Sequence, residues 1–302
     1  MGLTHWDEVE KRRVERAQMA GTWSNLGTPA GSYRCGVHRI ELEPGEMPTP
    51  AHVHGESEEI FYVLSGSGQT WMDEKAYEIR SGDCIVYKNF HEAHTIRAGD
   101  DGLDVLAFGP REYFTSSELP RGRSMWSITG YIEVQDGHPW DREPELVWPE
   151  TERERPPTIV NVADVEPFVR GGRRRRGLGE AVGARWTGLR HIECAPGTLS
   201  GPPHVHSAEE ELFVVLEGDG TLELWPDETH PVRAGSIVAR PPGTGVAHAF
   251  RGGEHGLTLL AWGTREPNDI CWYPRSRKMY WRGVDVVGRI EELDYWDGEE
   301  LE

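Results

Sequence analysis

The segments AHVHGESEEIFYVLSGSG (51–68) and PHVHSAEEELFVVLEGDG (203–220) align with each other and decide the fold of this chain. The segments that flank them repeat as well, and the pairs are HRIELEPG (38–45) with RHIECAPG (190–197) and GLDVLAFGPRE (102–112) with GLTLLAWGTRE (256–266). An internal repeat decides architecture before any single element does. The 302 residues are therefore predicted to form two copies of one unit of about 150 residues.

Each copy consists of short apolar segments rich in β-branched and aromatic residues, separated by Gly, Pro and Asp. IFYVL, CIVY and DVLAF in the first half, and LFVVL, SIVA and LTLLAW in the second, have the length of strands. Many short strands at this spacing predict an all-β sandwich or barrel. A helix is predicted only over 6–20, WDEVEKRRVERAQMA, which has helical composition and ends at Gly21.

The division of the chain follows from the repeat. We expect an N-terminal barrel with a leading helix over 1–135, a Pro-rich charged connector over 136–170, and a C-terminal barrel with a packing tail over 171–302. Four consecutive arginines, Arg173 to Arg176, stand in a glycine-rich segment. A solvated loop is the simpler interpretation of this run, and a phosphate- or partner-binding patch is the alternative.

Composition excludes several classes of partner. A formal charge of −19 argues against binding to nucleic acid or to anionic membranes, because both would repel the protein. The first residues contain no apolar signal region, and no run of 18 apolar residues occurs. The four cysteines have neither CxxC spacing nor the density of a disulfide scaffold, and they predict reduced, mostly buried thiols in a cytoplasmic protein.

Three histidines and one glutamate recur in the two halves. His52, His54, Glu59 and His94 correspond to a second quartet, His204, His206, Glu211 and His248. Residues i and i+2 of a strand point to the same side, so the two histidines of each HxH face one interior. Three imidazoles and a carboxylate suit one divalent transition metal and leave coordination positions open, as catalytic sites do. The sequence therefore predicts two metal centres per chain.

These residues also carry a family resemblance. The pattern HxHxxxxE, followed by six residues and Gly, then a Gly-Asp turn and a third His, resembles the cupin superfamily. The second half matches it through His204, His206, Glu211, Gly218, Gly235 and His248, so the chain resembles a bicupin, which implies two jelly-roll (double-stranded β-helix) barrels in tandem. The resemblance implies Fe(II) or Mn(II) most often, with Ni(II) or Zn(II) as alternatives. The first half has Asn89-Phe90-His91 where the family has Pro-x-Gly, which makes His91 a further catalytic candidate.

Strand alternation indicates other inward residues. His38 shares a face with Ile40 and Leu42, and it is either a proton donor or acceptor or a core histidine. Arg190 shares a face with Ile192 and is either an anchor for a substrate carboxylate or the partner of a protein carboxylate. Tyr87 is a candidate hydroxyl donor if its side chain points inward.

Three functions are compatible with these predictions. The first is a mononuclear Fe(II)-type dioxygenase acting on a small oxygenated or aromatic acid. The second is a redox-neutral lyase, decarboxylase or isomerase in which the metal acts as a Lewis acid. The third is a metal-stabilised protein that binds a small molecule without turnover. The expected partner is a small, anionic substrate, and the resemblance is compatible with a further homodimer.

Overall fold

The computed structural model describes residues 2–55, 57–88, 90, 92–111, 116–127, 130–132 and 138–299. The strands in the first half are β1 (Gly2–His5), β2 (Lys11–Arg16), β3 (Met19–Asn25), β4 (Cys35–Leu42), β5 (Val53–His54), β6 (Glu59–Met72), β7 (Lys75–Arg80), β8 (Asp83–Tyr87), β9 (His94–Pro110), β10 (Ser116–Leu119), β11 (Ser124–Ser127) and β12 (Gly130–Ile132).

The strands in the second half are β13 (Ile159–Asn161), β14 (Phe168–Arg170), β15 (Arg173–Gly177), β16 (Gly188–Cys194), β17 (Val205–His206), β18 (Glu211–Leu224), β19 (Glu228–Arg233), β20 (Ser236–Arg240), β21 (His248–Gly263), β22 (Ile270–Tyr273), β23 (Lys278–Trp281) and β24 (Val286–Arg289). One α-helical turn is described, α1 (Leu178–Ala181), and the 3₁₀ turns are Trp6–Glu8, Pro139–Arg142, Val162–Asp164, Pro274–Ser276 and Arg282–Val284.

These strands form two barrels of the same design, which confirms the predicted all-β fold with two jelly rolls. The large sheet of the first barrel has the order β13-β8-β6-β9-β4-β3-β2, with β7 added to β6, and its small sheet has the order β12-β11-β10-β5. The second barrel repeats this with β1-β20-β18-β21-β16-β15-β14, with β19 added to β18, and with β17-β22-β23-β24. The C-terminal tail thus pairs with its own barrel, through β22 and β17.

The predicted helix over 6–20 is wrong. This segment contains one 3₁₀ turn, the strand β2 and the start of β3, and the two strands pair as a hairpin through Ala17, whose φ is +52°. The Lys, Glu and Arg residues have helical propensity, but the pairing of β3 with β4 overrides it. Strand β2 lies at the end of its sheet, where charged side chains discourage pairing with another chain.

The interpretation of Arg173 to Arg176 as a loop is also wrong, since these residues form β15 between β14 and β16. The predicted connector contains the strand β13, and the predicted boundaries at 135 and 170 stay predictions. The four cysteines are free and buried, as expected. Among the described residues, no helix is long and apolar enough to cross a membrane.

The described residues form four buried apolar clusters, of which a small one contains Met19, Met47, Ala51, Trp71 and Leu146. One apolar cluster fills each barrel, and a third is built from residues of both, including Phe108 and Trp262, whose rings stack with centroids 6.2 Å apart. Two buried carboxylates cross the same interface in opposite directions. Glu58 accepts hydrogen bonds from the backbone N–H groups of Arg185 and Trp186, and Glu210 accepts one from the N–H of Cys35 at 3.0 Å.

The leading strand of each repeat is exchanged between the barrels. Strand β1 pairs with β20 of the second barrel, and β13 pairs with β8 of the first. Each barrel therefore completes its large sheet with a strand that the other repeat unit supplies. The two barrels are therefore joined by two exchanged strands, β1 and β13.

Candidate metal centres

The first predicted quartet converges inside the first barrel. His54 belongs to β5, Glu59 begins β6 and His94 begins β9, while His52 forms an isolated bridge with His94. The Nε2 atoms of His54 and His94 each lie 3.2 Å from Oε2 of Glu59. One potential ligand atom from each of the four residues lies within 4.8 Å of the others.

The second quartet has the same arrangement. The Nε2 atoms of His204, His206 and His248 lie 3.4, 3.3 and 3.1 Å from Oε2 of Glu211. Glu211 is the first residue of β18, His248 is the first residue of β21, and the HxH segment provides the other two ligands. The positions match those of the first quartet because the repeat preserves the strand register. The structure thus gathers the predicted ligands around Glu59 and around Glu211. In the second set, however, the mutual limit of 4.8 Å holds for His204, Glu211 and His248, while His206 meets it with His204 and Cys271.

The imidazole rings are oriented by hydrogen bonds at their other nitrogen. Nδ1 of His52 lies 3.0 Å from the carbonyl oxygen of Pro50, and Nδ1 of His204 lies 2.9 Å from that of Pro202. An imidazole that donates from Nδ1 presents the lone pair of Nε2 to the centre. The rings are therefore held in the tautomer that binds a metal through Nε2.

The outer hydrogen bond differs at the second histidine of each HxH. Nδ1 of His54 lies 3.1 Å from the Ser117 hydroxyl, whereas Nδ1 of His206 lies 2.6 Å from a carboxylate oxygen of Asp269. Asp269 is fully buried and also accepts from the backbone N–H groups of Ala208 and Glu209. A carboxylate behind a histidine ligand increases the basicity of the ligand.

A divalent metal fits the second centre. Nε2 of His206, Nε2 of His248 and Oε2 of Glu211 are buried, and among the described residues none of these atoms has a hydrogen-bond partner, although the two nitrogen atoms lie only 3.3 and 3.1 Å from the carboxylate oxygen. Buried polar atoms without partners are costly, and an ion at their common centre would satisfy all of them. Despite burial, the histidines hold the pKa of Glu211 well below its usual range.

The first centre fits a metal for a related reason. Burial and the neighbouring His94 and His54 lower the pKa of His52 to about 3, so its ring is neutral at physiological pH. Neutral imidazole is the form that binds a metal. Burial raises the pKa of Glu59, but His54 and His94 outweigh burial and hold that pKa well below its usual range. The donor set is one carboxylate and three imidazoles that bind a metal in their neutral form, which suits Mn, Fe, Ni or Zn.

The cavity at the first centre has a volume of about 1090 Å³. Besides the ligands, its lining includes the aromatic side chains of Trp23, Trp126 and Trp140, the imidazole of His38, and one charged pair of opposite sign, Glu10 and Arg12. His38 lies beside the metal ligands, and burial together with Arg111 lowers its pKa. His38 thus shares a cavity with the first quartet, and its role as a proton donor or acceptor stays a prediction.

Tyr87 points inward but not at a substrate. Its ring stacks on His94 with centroids 3.8 Å apart, and its hydroxyl lies 2.8 Å from that of Thr70. Burial raises the pKa of Tyr87. Tyr87 therefore positions a ligand ring, and the candidate His91 lies outside the described residues.

The cavity at the second centre is smaller, about 330 Å³, and cationic. Arg190 lines it as predicted, and so do Arg173 and Arg175. Tyr273 stacks near His204, with ring centroids 5.8 Å apart, and also lines this cavity. Sequence reasoning missed Tyr273 and Asp269. It named the run that contains Arg173 and Arg175 as a loop or, alternatively, a phosphate- or partner-binding patch, but it did not connect this run with the second quartet.

Comparisons with known proteins agree with this architecture. The family profile described as "Cupin domain" matches residues 38–108 and 190–262. A search of curated proteins found no match. Among solved structures, oxalate decarboxylase from Lactobacillus farciminis in complex with formate is 15% identical, with a TM-score of 0.61 over 87% of this chain and 86% of that one.

Oxalate decarboxylase from Bacillus subtilis, a protein with Mn(II) centres, is 14% identical, with a TM-score of 0.60 over 89% of this chain and 79% of that one. At such identities the likeness shows the fold alone. The twofold profile match and the two jelly rolls, each with its histidine and glutamate quartet, together establish the family. The chain carries two cupin domains in tandem and is a bicupin of the cupin superfamily.

Proposed function

We propose that this protein is a metal-dependent lyase that decarboxylates a small carboxylic acid at the second centre, with Mn(II) as the first candidate metal and Fe(II) as the second. The observation that carries the proposal is the position of Arg190, whose side chain enters the cavity of the second quartet. Among the described residues, no carboxylate forms an ion pair with Arg190. The likeness to oxalate decarboxylases supports the same reaction class over the dioxygenase.

The ligands expected to hold the metal are His204, His206, Glu211 and His248. When bound, the ion supplies Lewis-acid polarisation of a substrate oxygen. Arg190 binds the substrate carboxylate through its planar guanidinium. Phe213 and Phe250 line the same cavity, and such apolar walls reduce the access of water.

Tyr273 is the proposed proton donor. Burial and the neighbouring Cys271 raise the pKa of Tyr273, so its hydroxyl keeps its proton at physiological pH. In decarboxylation the carbon–carbon bond breaks, CO₂ leaves, and the electron pair that remains on carbon takes a proton. The hydroxyl of Tyr273 can deliver this proton, and solvent restores it.

The test is a panel of small carboxylic acids incubated under argon with Mn(II)-loaded protein, with CO₂ as the readout. We expect CO₂ release without O₂, and we expect Tyr273→Phe to lower kcat by about a hundredfold or more. Arg190→Gln should raise KM more than it lowers kcat, because a carboxylate anchor contributes mainly uniform binding. Anion binding without any turnover would instead favour a non-catalytic binding protein.

A dioxygenase at the first centre is the second candidate. It is favoured by the large cavity with three tryptophans, which suits an aromatic substrate better than the cationic cavity does. His38 would then exchange a proton with the substrate. O₂ uptake by Fe(II)-loaded protein, dependent on an aromatic acid and absent in Glu59→Gln, would establish it. No O₂ uptake across such a panel would reject this candidate.

We also propose a cytoplasmic location. All four cysteines are free thiols buried in the fold, as is usual in a reducing compartment. Fractionation of the cells that produce the protein tests this, and recovery from a secreted fraction would contradict it.

A further inference from the structure

We infer that Arg173 and Arg175 form a second anion-binding subsite at the second centre, so that its ligand carries at least two anionic groups. One anionic group would bind to Arg190 and the metal, and the other would bind to Arg173 and Arg175 of β15. This inference deepens the proposed function and rests on it for the first group. It assigns a role to the arginine run, for which sequence analysis left a solvated loop and a phosphate- or partner-binding patch as alternatives.

The register of the sheet directs these side chains inward. In the antiparallel pair of β15 and β16, Arg173 lies opposite Cys194, Arg175 opposite Ile192, and Gly177 opposite Arg190. Residues directly opposite each other in an antiparallel pair share a face. The three arginines therefore share the face that meets the cavity, as its lining residues show.

The alternate arginines of the same strand behave differently. Arg174 and Arg176 both form ion pairs with Glu193, which lies on the opposite face of the sheet from the cavity. No ion pair joins Arg173 or Arg175 to a carboxylate in the part of the chain that the structure describes. The nearby Glu180 is already paired with Arg265, 2.6 Å away.

The cluster is electrostatically unbalanced. Burial lowers the pKa of Arg173 and of Arg175; Arg190 lowers both further, and Arg175 also lowers the pKa of Arg173. The Nε atoms of Arg173 and Arg190 are buried and have no hydrogen-bond partner among the described residues. Several guanidinium groups that share one cavity repel each other, and an anion with several acceptor oxygens would satisfy both the charge and the donors.

The first barrel shows that the fold does not require these charges. The register of β3 and β4 places Trp23 opposite Ile40, as Arg175 lies opposite Ile192. The offset of the repeat likewise equates His38 with Arg190 and Gly21 with Arg173. The same backbone positions are thus neutral in one barrel and cationic in the other. Arginines at these three positions are thus found in the second barrel alone, although Arg12 and Arg111 line cavities at the first centre from other positions.

Size limits the ligand to a small molecule. A volume of about 330 Å³ is at the lower end for ligand sites, and the metal position occupies part of it. The chemistry that fits is a short acid with two or three anionic groups, either a dicarboxylate or a phosphorylated carboxylate. Both classes share the acceptor oxygens that guanidinium binds in pairs.

The test compares 1,2-ethanedisulfonate with ethanesulfonate, two weakly coordinating probes that differ by one anionic group. Calorimetry on the Mn(II)-loaded protein should show at least about tenfold tighter binding of the disulfonate, the factor expected for one charged hydrogen-bonded contact. Arg175→Gln and Arg173→Gln should each lose most of this preference. Arg174→Gln removes the same charge from the same strand on the other face, and it should keep the preference.

Equal affinity of the wild-type protein for the two probes would overturn the inference without any variant. Loss of the preference in Arg174→Gln to the same extent would overturn it too, because it would indicate a general charge effect. The outcome is independent of turnover. A dianion preference without CO₂ release rejects only the proposed reaction, whereas release of CO₂ from monocarboxylates with KM unchanged in Arg175→Gln rejects only the second subsite. Turnover of succinate against phosphoglycolate then separates the two ligand classes.

Discussion

The first metal centre opens into a cavity of about 1090 Å³ with three tryptophans in its lining, whereas the second opens into one of about 330 Å³ that three arginines enter. The ligands of the two centres are the same, three histidines and one glutamate, at the same strand positions. The two repeats therefore share the predicted metal ligands but differ in the cavity-lining residues on the neighbouring strands, β3 and β4 in the first barrel and β15 and β16 in the second. The fold thus fixes the position of the metal ligands, whereas the residues that line the cavities differ between the barrels.

The two centres also differ behind one ligand. His54 has the neutral hydroxyl of Ser117 at its outer nitrogen, and His206 has the buried carboxylate of Asp269. The carboxylate makes His206 the more basic donor and brings an extra negative charge near the ion. The second centre is thus expected to bind a divalent ion more tightly than the first.

The largest expected effect separates the centres by activity. Glu211→Gln should lower CO₂ release at least about a hundredfold, because it removes the only carboxylate of the quartet, whereas Glu59→Gln should leave it nearly unchanged. The measurement is CO₂ release under argon, with metal content determined for each variant. An equal loss in both variants would show that the centres act together.

The next effect concerns the outer hydrogen bonds. Asp269→Asn should weaken metal binding at the second centre by about 10- to 100-fold, the range for such partners. Ser117→Ala at the corresponding position should cost the first centre less, because a hydroxyl orients the ring without adding charge. Competition with a chelator measures both affinities. Equal losses would mean that orientation alone matters.

A smaller effect, a factor of two, tests whether the centres are separate. The protein should carry close to two ions per chain, and His52→Ala with His54→Ala should leave one. The matched variant, His204→Ala with His206→Ala, should leave the other. Elemental analysis after reconstitution is the measurement. Fewer than one ion in the unmodified protein would reject paired centres.

The smallest effect is the proton that metal uptake releases. Burial lowers the pKa of His206, but Glu211 and Asp269 outweigh burial and raise it to about 11 in the metal-free protein. Because binding needs neutral imidazole, uptake by the second centre should release about one proton through His206 near neutral pH. Calorimetry in two buffers of different ionisation enthalpy measures it, and Asp269→Asn should release less.

The same shift has a consequence for stability. The folded pKa lies above the unfolded value of about 6.5, so protonated His206 stabilises the metal-free fold fully below that pH. This contribution is lost as the pH rises towards about 11. Thermal unfolding of the metal-free protein, compared between wild type and Asp269→Asn, checks the sign. A variant whose stability profile matches the wild type would contradict it.

Much of the fold and of the site follows from sequence because both depend on local periodicity. Alternation places His52 with His54, the repeat supplies the second set, and the family pattern supplies the jelly roll. Arg190 was found by the same rule. The rest depends on pairing between distant strands. Asp269 contacts His206, from which it is separated by 63 residues in sequence. The inward face of β15 can be identified only from its register with β16.

The incorrect helix has the same cause. Over 6–20, composition favours a helix, and only the edge of the sheet shows why the segment is extended. The reciprocal contacts of Glu58 and Glu210 were equally hidden, because each carboxylate meets backbone groups of the other barrel. Side chains that serve a distant backbone leave no periodic pattern.

The exchange of β1 and β13 has a consequence for any attempt to divide the protein. A fragment that ends near residue 140 would keep β1 without its partner β20 and would lack β13, so its large sheet would end in the unpaired edge of β8. Exposed edges of this kind promote aggregation. A cut in the backbone between the repeats, made after folding, should leave both pairings intact. The two pieces should then co-purify and melt in a single transition, as the subunits of an obligate heterodimer do.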